Sequence, residues 1–364
     1  MEHDLARYHR QMLLPGFGEA GQRRLLGSTV LILGCGALGS IAADMLVRAG
    51  VGHIVLVDRD FPEIHNLQRQ VLFDEADVES ATPKAVAAQK KLARINSQVR
   101  IRAVVEDVNR TNIAAYARGV DLILDGLDNF ETRYLANDFA VKYGLPYLYG
   151  GAVGTTGMAF SVLPHTQSGR DWETGPTGTF ATPCLRCLFE EAPPPGTLPT
   201  CDTVGVLSSA VALVANFQVA EALKILTGNF AHVSRTLLNL DLWMNDIQQL
   251  DVSNVYDEGD CPCCRHRRFD YLDGDAGSNA TVLCGRDSVQ LQPGPGVEQA
   301  DLAAVARRLS SHGPVHSNDY LLRAQLVDGG KAYEITLFAN GRTMVKGTAD
   351  TGVARGIYAK YVGV

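Results

Sequence analysis

No dense basic block occurs anywhere in the sequence. Acidic residues outnumber basic ones, the formal charge is −7, and the densest basic run is the short Arg265-His266-Arg267-Arg268. A protein that holds nucleic acid by neutralising phosphates needs a basic face, so no nucleic-acid partner is expected and the run reads as solvated linker. An apolar leader is also missing, because Met1 to Arg10 is polar. No stretch is read as approaching the ~20 apolar residues of a membrane span, so no membrane association is expected and the chain reads as cytoplasmic. No internal repeat is found. Eight cysteines in that compartment point to metal ligands or reactive thiols, not to a disulfide framework.

The bulk of the chain is ordinary globular material. Apolar residues make up 46% of the 364 positions and charged residues 20%, enough for a substantial core. That length predicts one large unit, over 1–270, and one small one, over 280–364, with a polar linker between them.

Apolar spacing from Leu5 to Leu26 predicts two short helices around a turn at Pro15-Gly16. An alternation follows: strand 29–33, helix 37–49, strand 53–57, helix 83–95, strand 99–105, a short helix at 113–117, strand 121–124, helix 131–143 and strand 146–149. Continuous apolar strands alternating with helices imply an α/β fold, a mostly parallel sheet flanked by helices. A long Gly, Pro and Thr-rich loop, from His165 to Thr200, is then expected to be functional. A buried helix over 206–226 and a last strand over 236–240 close the large unit. The small unit reads as α+β: a strand near 281–291, a helix bearing Leu302, Val305 and Leu309, three strands with a type I′ turn at Asn340-Gly341, and a helix near 354–361.

Between strand 29–33 and helix 37–49 lies Gly34-Cys35-Gly36-Ala37-Leu38-Gly39, where a helix N-terminus can face a phosphate. Asp58 ends the next strand, about twenty residues on, where an acid accepts hydrogen bonds from a ribose. By itself this Rossmann-like arrangement favours NAD. A triphosphate split at its α-phosphorus needs more positive charge and usually a metal. Asn66-Leu67-Gln68-Arg69-Gln70, Lys84 in Thr82-Pro83-Lys84, and Asp125-Gly126-Leu127-Asp128-Asn129 supply such groups. Asp128 sits at a carboxyl edge of the sheet, where either ligand binding or helix capping would account for it.

Taken together, and with Arg7-Tyr8-His9-Arg10-Gln11, these segments resemble the ThiF/MoeB/HesA family of adenylyltransferases, bacterial relatives of the ubiquitin-activating enzymes. The likeness runs from Arg7 through Cys264. It implies that Gly34, Gly36 and Gly39 bind ATP together with Asp60 and Gln70, with Asp58 toward the ribose. Asn66, Arg69 and Lys84 would meet the phosphates, and Asp128 would serve Mg²⁺ and the reacting centre. Arg10 would reach the ATP of the neighbouring subunit of a homodimer. The implied reaction joins AMP to the C-terminal glycine of a ubiquitin-like sulfur carrier ending in Gly-Gly.

Two C-x-x-C pairs, Cys184/Cys187 and Cys261/Cys264, have the spacing with which four thiolates close a structural Zn²⁺ site, and Cys263 reads as a bystander. Cys201, just before the buried helix, is expected to gain thiolate character from that helix's N-terminus. In the resembled family a cysteine there can bond to the carrier. Cys35 and Cys284 read as small core residues.

Cys284-Gly285-Arg286-Asp287 lacks the full loop of a sulfur-delivering rhodanese domain, so a separate donor such as a cysteine desulfurase or rhodanese is expected. The ending Val362-Gly363-Val364 is not a carrier's Gly-Gly. Residues 280–364 are read as a docking platform or as structural support. Other readings are adenylation of a small carboxylate or a modified RNA, a non-catalytic adaptor, and an NAD-dependent oxidoreductase. Whether the sulfur serves thiamine, molybdopterin or another product is left open.

Overall fold

The computed structural model describes residues 5–166, 170–173, 179–191, 200–274, 282–283, 287–291 and 300–362. Pro193-Pro194-Pro195-Gly196, Cys284 to Arg286 and Gly363-Val364 lie outside these. The chain divides into two compact units, residues 1–193 with 205–276, and residues 194–204 with 277–364.

In the first unit, β1 (Thr29–Leu33), β2 (His53–Val57), β3 (Arg100–Val104), β4 (Leu122–Asp125), β5 (Tyr147–Val153), β6 (Thr156–Val162), β7 (Thr236–Asp241) and β8 (Asp246–Asp251) form one sheet. Its order is β3-β2-β1-β4-β5-β6-β7-β8. The β3 to β5 neighbours pair in parallel, and those from β5 to β8 are antiparallel. The helices are α1 (Gly18–Gly27), α2 (Ala37–Ala49), α3 (Lys84–Ile95), α4 (Phe130–Tyr143) and α5 (Ser208–Leu226). β1 is buried on both faces: Val30 and Ile32 join one apolar cluster with Leu46 of α2 and Leu92 of α3, while Leu31 and Leu33 join another with Phe139 of α4. That two-sided burial is why its sequence, Thr-Val-Leu-Ile-Leu, does not alternate.

The expectation of 236–240 as the last strand is corrected by β8, and β6 is a further strand that was not expected. β6 follows β5 through a two-residue turn in which Gly154 has φ +60°, the conformation a II′ hairpin needs at its first central residue. Glycines in β5 and β6 let α5 lie close to the sheet. A Cβ at Gly150 would fall 2.5 Å from the Gln218 side chain, and one at Gly157 2.5 Å from that of Val214. β8 escaped notice because the edge strand Asp-Ile-Gln-Gln-Leu-Asp is exposed along its whole length.

The absence of a span-length apolar segment is also corrected. α5 is long and apolar enough to cross a membrane by length and composition, with mean hydropathy 1.4. In the fold it is a core helix whose Ala210, Val214 and Val219 are buried and whose Gln218 and Glu221 are buried with them.

The second unit has a six-stranded antiparallel sheet: β9 (Val282–Leu283), β10 (Ser288–Leu291), β11 (Val315–Ser317), β12 (Leu321–Asp328), β13 (Lys331–Phe338) and β14 (Thr343–Lys346), ordered β11-β12-β13-β14-β10-β9. The single strand expected at 281–291 is two paired strands, and four strands follow the helix instead of three. Helices α6 (Leu302–Leu309) and α7 (Thr351–Tyr361) supply Leu309, Ala354 and Ile357 to a core with Val289, Leu322 and Ile335. The turn at Asn340-Gly341 is not type I′. Only Gly341 has positive φ (80°), and Phe338 N–H donates to the Arg342 carbonyl across a three-residue loop, the type I turn plus left-handed glycine arrangement.

Candidate functional site

β1 pairs β2 on one side and β4 on the other, all in parallel, so the order in which strands are added to the sheet reverses at β1 and opens a crevice at the carboxyl ends of β1 and β4. Four connections meet there, those leaving β1, β2, β3 and β4.

After β1, the glycines divide their labour. Gly34 takes φ +90°, and a Cβ there would stand 2.4 Å from the Gly126 carbonyl oxygen. A Cβ at Gly39 would lie 1.9 Å from the Gly34 carbonyl oxygen. Both are demanded by the fold itself. At Gly36, the N-cap of α2, the nearest atoms to a Cβ are 3.9 Å away, so its missing side chain leaves room for something else. A glycine that faces open space at a helix N-terminus lets a phosphate approach the backbone.

After β2, Asp58 accepts from the N–H of Cys35 (2.6 Å) and of Asp60 (2.7 Å), tying the glycine loop to the β2 end. Burial pushes the Asp58 carboxyl above its usual range, against the pull of Lys84. Arg59 bridges to Asp107, after β3, at 2.9 Å and lies 3.8 Å from Asp60. Burial opposes its charge, but Asp107, Asp60, Asp128 and Asp58 outweigh that and push its pKa up. Sequence reasoning missed Arg59 and Asp107; an arginine between two aspartates at the end of an apolar strand was the available signal. Lys84, at the start of α3, is 4% exposed, and its Nζ is 4.0 Å from Asp60.

Asn66 and Gln70 are 1% and 5% exposed. Asn66 Oδ1 accepts from Glu63 N–H, but Asn66 Nδ2 and Gln70 Oε1 are buried with no hydrogen-bond partner. An unpaired buried polar group costs about 1–3 kcal/mol, so these two atoms are candidates for pairing with a bound polar ligand. Arg69 is half-buried and its guanidinium donates to the His65 carbonyl.

After β4 comes Asp128, exposed, accepting from the neighbouring Asn129 amide at 3.3 Å. The capping alternative falls: Asn129 is the N-cap of α4, its side chain accepting from Thr132 N–H. Asp128 is therefore a solvent-facing carboxylate at the crevice. Behind it, fully buried Asp125 accepts from Leu127 N–H (2.8 Å) and the Tyr147 hydroxyl (2.6 Å) and pairs with Arg133 (3.3 Å). Burial pushes the Asp125 carboxyl up while Arg133 and Tyr147 pull it back.

The two C-x-x-C pairs converge as their spacing predicts. The Sγ atoms of Cys184, Cys187, Cys261 and Cys264 all lie within 4.8 Å of one another, with Cys184 to Cys261 at 3.6 Å and Cys187 to Cys264 at 3.2 Å. Tetrahedral Zn²⁺ with bonds of about 2.3 Å would set its sulfurs about 3.8 Å apart, so the donor set fits. Cys263 stands outside this group and its Sγ accepts from the Asn137 amide.

Two expectations find no such support. Arg10 is exposed on the short helix His9–Met12. Cys201 does not sit at the start of the buried helix: it opens a separate four-residue turn, Cys201–Val204, and Gly205 at φ +77° breaks the chain before α5 begins at Ser208. The expected thiolate character from that helix's N-terminus therefore does not apply to Cys201.

Residues 8–263 match the model of the ThiF family. The chain belongs to the ThiF family. Among its relatives in that family, the sulfur carrier protein ThiS adenylyltransferase of Bacillus subtilis is 41% identical over 98% of this chain and 99% of its own length. The sulfur carrier protein adenylyltransferase of Thermus thermophilus is 39% identical over 72% of this chain and 92% of its own. The fold of this ThiF-family chain is also similar to that of Escherichia coli MccB, with TM-score 0.57 and 20% identity over 72% of each chain.

Proposed function

We propose that this chain uses ATP to adenylate the C-terminal glycine carboxylate of a small ubiquitin-like sulfur carrier of the ThiS or MoaD kind, releasing pyrophosphate. The observation that carries this is the likeness over nearly its whole length to a ThiS adenylyltransferase, joined to a crevice whose groups suit a nucleotide triphosphate. A carrier carboxylate oxygen bonds to the α-phosphorus as the bond to the bridging oxygen of pyrophosphate breaks. No general base is needed, since a terminal carboxylate is already an anion at neutral pH.

The enzyme's task is then to position and neutralise. Gly36 gives the phosphates access to the backbone, and Lys84 and Arg69 supply charge. Asn66 Nδ2 is a donor awaiting an acceptor, and Gln70 lies beside it in the crevice. Each Asp58 oxygen keeps a lone pair for a ribose hydroxyl while it holds the loop. Asp128 offers the hard oxygen ligand that Mg²⁺ takes, and Mg²⁺ would neutralise charge on the leaving pyrophosphate. The same reading has Arg10 completing the site of a second copy in a homodimer. It gives Zn²⁺ to the four cysteines, a covalent link with the carrier to Cys201, sulfur supply to a separate protein, and a cytoplasmic setting.

The test is carrier-dependent exchange of labelled pyrophosphate into ATP. Asp128→Ala is expected to abolish exchange with little change in melting temperature, because Asp128 is exposed and caps nothing. Full exchange by Asp128→Ala would sink the assignment.

A further inference from the structure

The segment that carries Asp128 is held by a buried ion pair that none of the roles above uses. Leu127, the residue before Asp128, has both its backbone polar groups clamped by side chains. Its N–H donates to Asp125 Oδ1 at 2.8 Å, and its carbonyl accepts from Arg133 Nη2 at 2.7 Å. Arg133 and Asp125 are joined to each other at 3.3 Å, so the two clamps form one unit.

That unit is anchored to two further elements, β5 and α5. The same Arg133 nitrogen donates to the Gly150 carbonyl of β5 at 3.0 Å, and the guanidinium lies 5.4 Å from the ring centres of Phe130 and Tyr149. The Tyr147 hydroxyl donates to Asp125 Oδ2 at 2.6 Å. Gln218 of α5 reaches through the sheet face with Nε2 bound to the carbonyls of Asp125 (2.9 Å) and Leu148 (3.0 Å). Arg133 is 7% exposed and Asp125 is fully buried. A buried ion pair is weak evidence for stability, since its desolvation cost offsets its attraction. Its distinctive property is directional: a planar guanidinium and a carboxylate fix the peptide between them in one orientation.

We infer that Arg133 and Asp125 are positioning residues for the adenylation step, clamping the Leu127 peptide so that Asp128 projects into the crevice in one fixed direction. Neither touches substrate. The inference rests on the reading of Asp128 as the reacting-centre carboxylate. Loss of the clamp therefore slows chemistry while leaving ATP binding to the glycine loop, Asn66 and Lys84.

The experiment uses the full chain and pyrophosphate exchange with a Gly-Gly-ended carrier, in single and double variants. Arg133→Lys keeps the charge but loses the planar fork, and Tyr147→Phe removes one hydrogen bond from Asp125 without disturbing the ion pair. Arg133→Lys is expected to lower kcat by roughly tenfold or more, with the KM for ATP changed less than about twofold, and Tyr147→Phe to lower kcat in the same direction by a smaller factor. In an Asp128→Asn background, whose residual exchange is the reference, Arg133→Lys is expected to cause little further loss. Equal losses in both backgrounds, or a rise in KM without a fall in kcat, would overturn the clamp and leave Asp128 in place. Full activity of Asp128→Asn and Asp128→Ala would instead overturn the reading of Asp128 itself. If Arg133→Lys does not fold, Tyr147→Phe decides alone: an unchanged kcat overturns the inference.

Discussion

Two glycines three positions apart, Gly36 and Gly39, show how single positions divide between fold and chemistry. Alanine at Gly39 would drive a Cβ to 1.9 Å from a backbone oxygen, whereas alanine at Gly36 meets nothing nearer than 3.9 Å. Gly39→Ala is therefore expected to prevent folding or lower the melting temperature steeply. Gly36→Ala should melt within about 0.5 kcal/mol of the parent yet bind ATP at least tenfold more weakly, because its methyl occupies the space phosphates need. Calorimetry and equilibrium binding on both variants check this, and equal ATP affinity for Gly36→Ala would remove the loop from the site. Both glycines were legible in the sequence as a motif, but their separate duties were not, since the Gly39 clash depends on how the folded loop brings the Gly34 carbonyl back against the first turn of α2. Arg133 was illegible for a related reason. An arginine within a helix reads as surface charge until the fold brings Asp125 against it.

At the scale of elements, the parallel half of the sheet was readable because strands buried on both faces are continuous apolar runs. The antiparallel half was not. Glycine serves close packing against α5 at 150 and 157, and the polar edge strand β8 carries no apolar alternation to read. Cys201 was expected just before the helix over 206–226, but it opens the separate turn Cys201–Val204, and Gly205 at φ +77° divides that turn from α5. The cysteine pairs were legible from spacing alone, and they join the turn at Leu185–Leu188 to the segment after β8. If Zn²⁺ fills that site, metal analysis should find about one zinc per chain. Cys264→Ser should lower both zinc content and melting temperature, by an amount in the range of several kcal/mol seen when structural metal is lost. A chain that purifies without metal and is indifferent to chelators would contradict the zinc reading.

For the whole molecule, residues 277–364 lie outside the ThiF-family match over 8–263, and docking the carrier or the next protein is the duty proposed for them, with structural support as the alternative. Chain lacking 277–364 should then lose carrier affinity, and unchanged affinity would rule docking out. The central claim concerns the first unit, and pyrophosphate exchange tests it most directly. With ATP, Mg²⁺ and a Gly-Gly-ended carrier, label should pass from pyrophosphate into ATP. It should fail to do so when the carrier is omitted or its terminal carboxylate is amidated. Exchange that ignores the carrier, or none with any such carrier, would contradict the account.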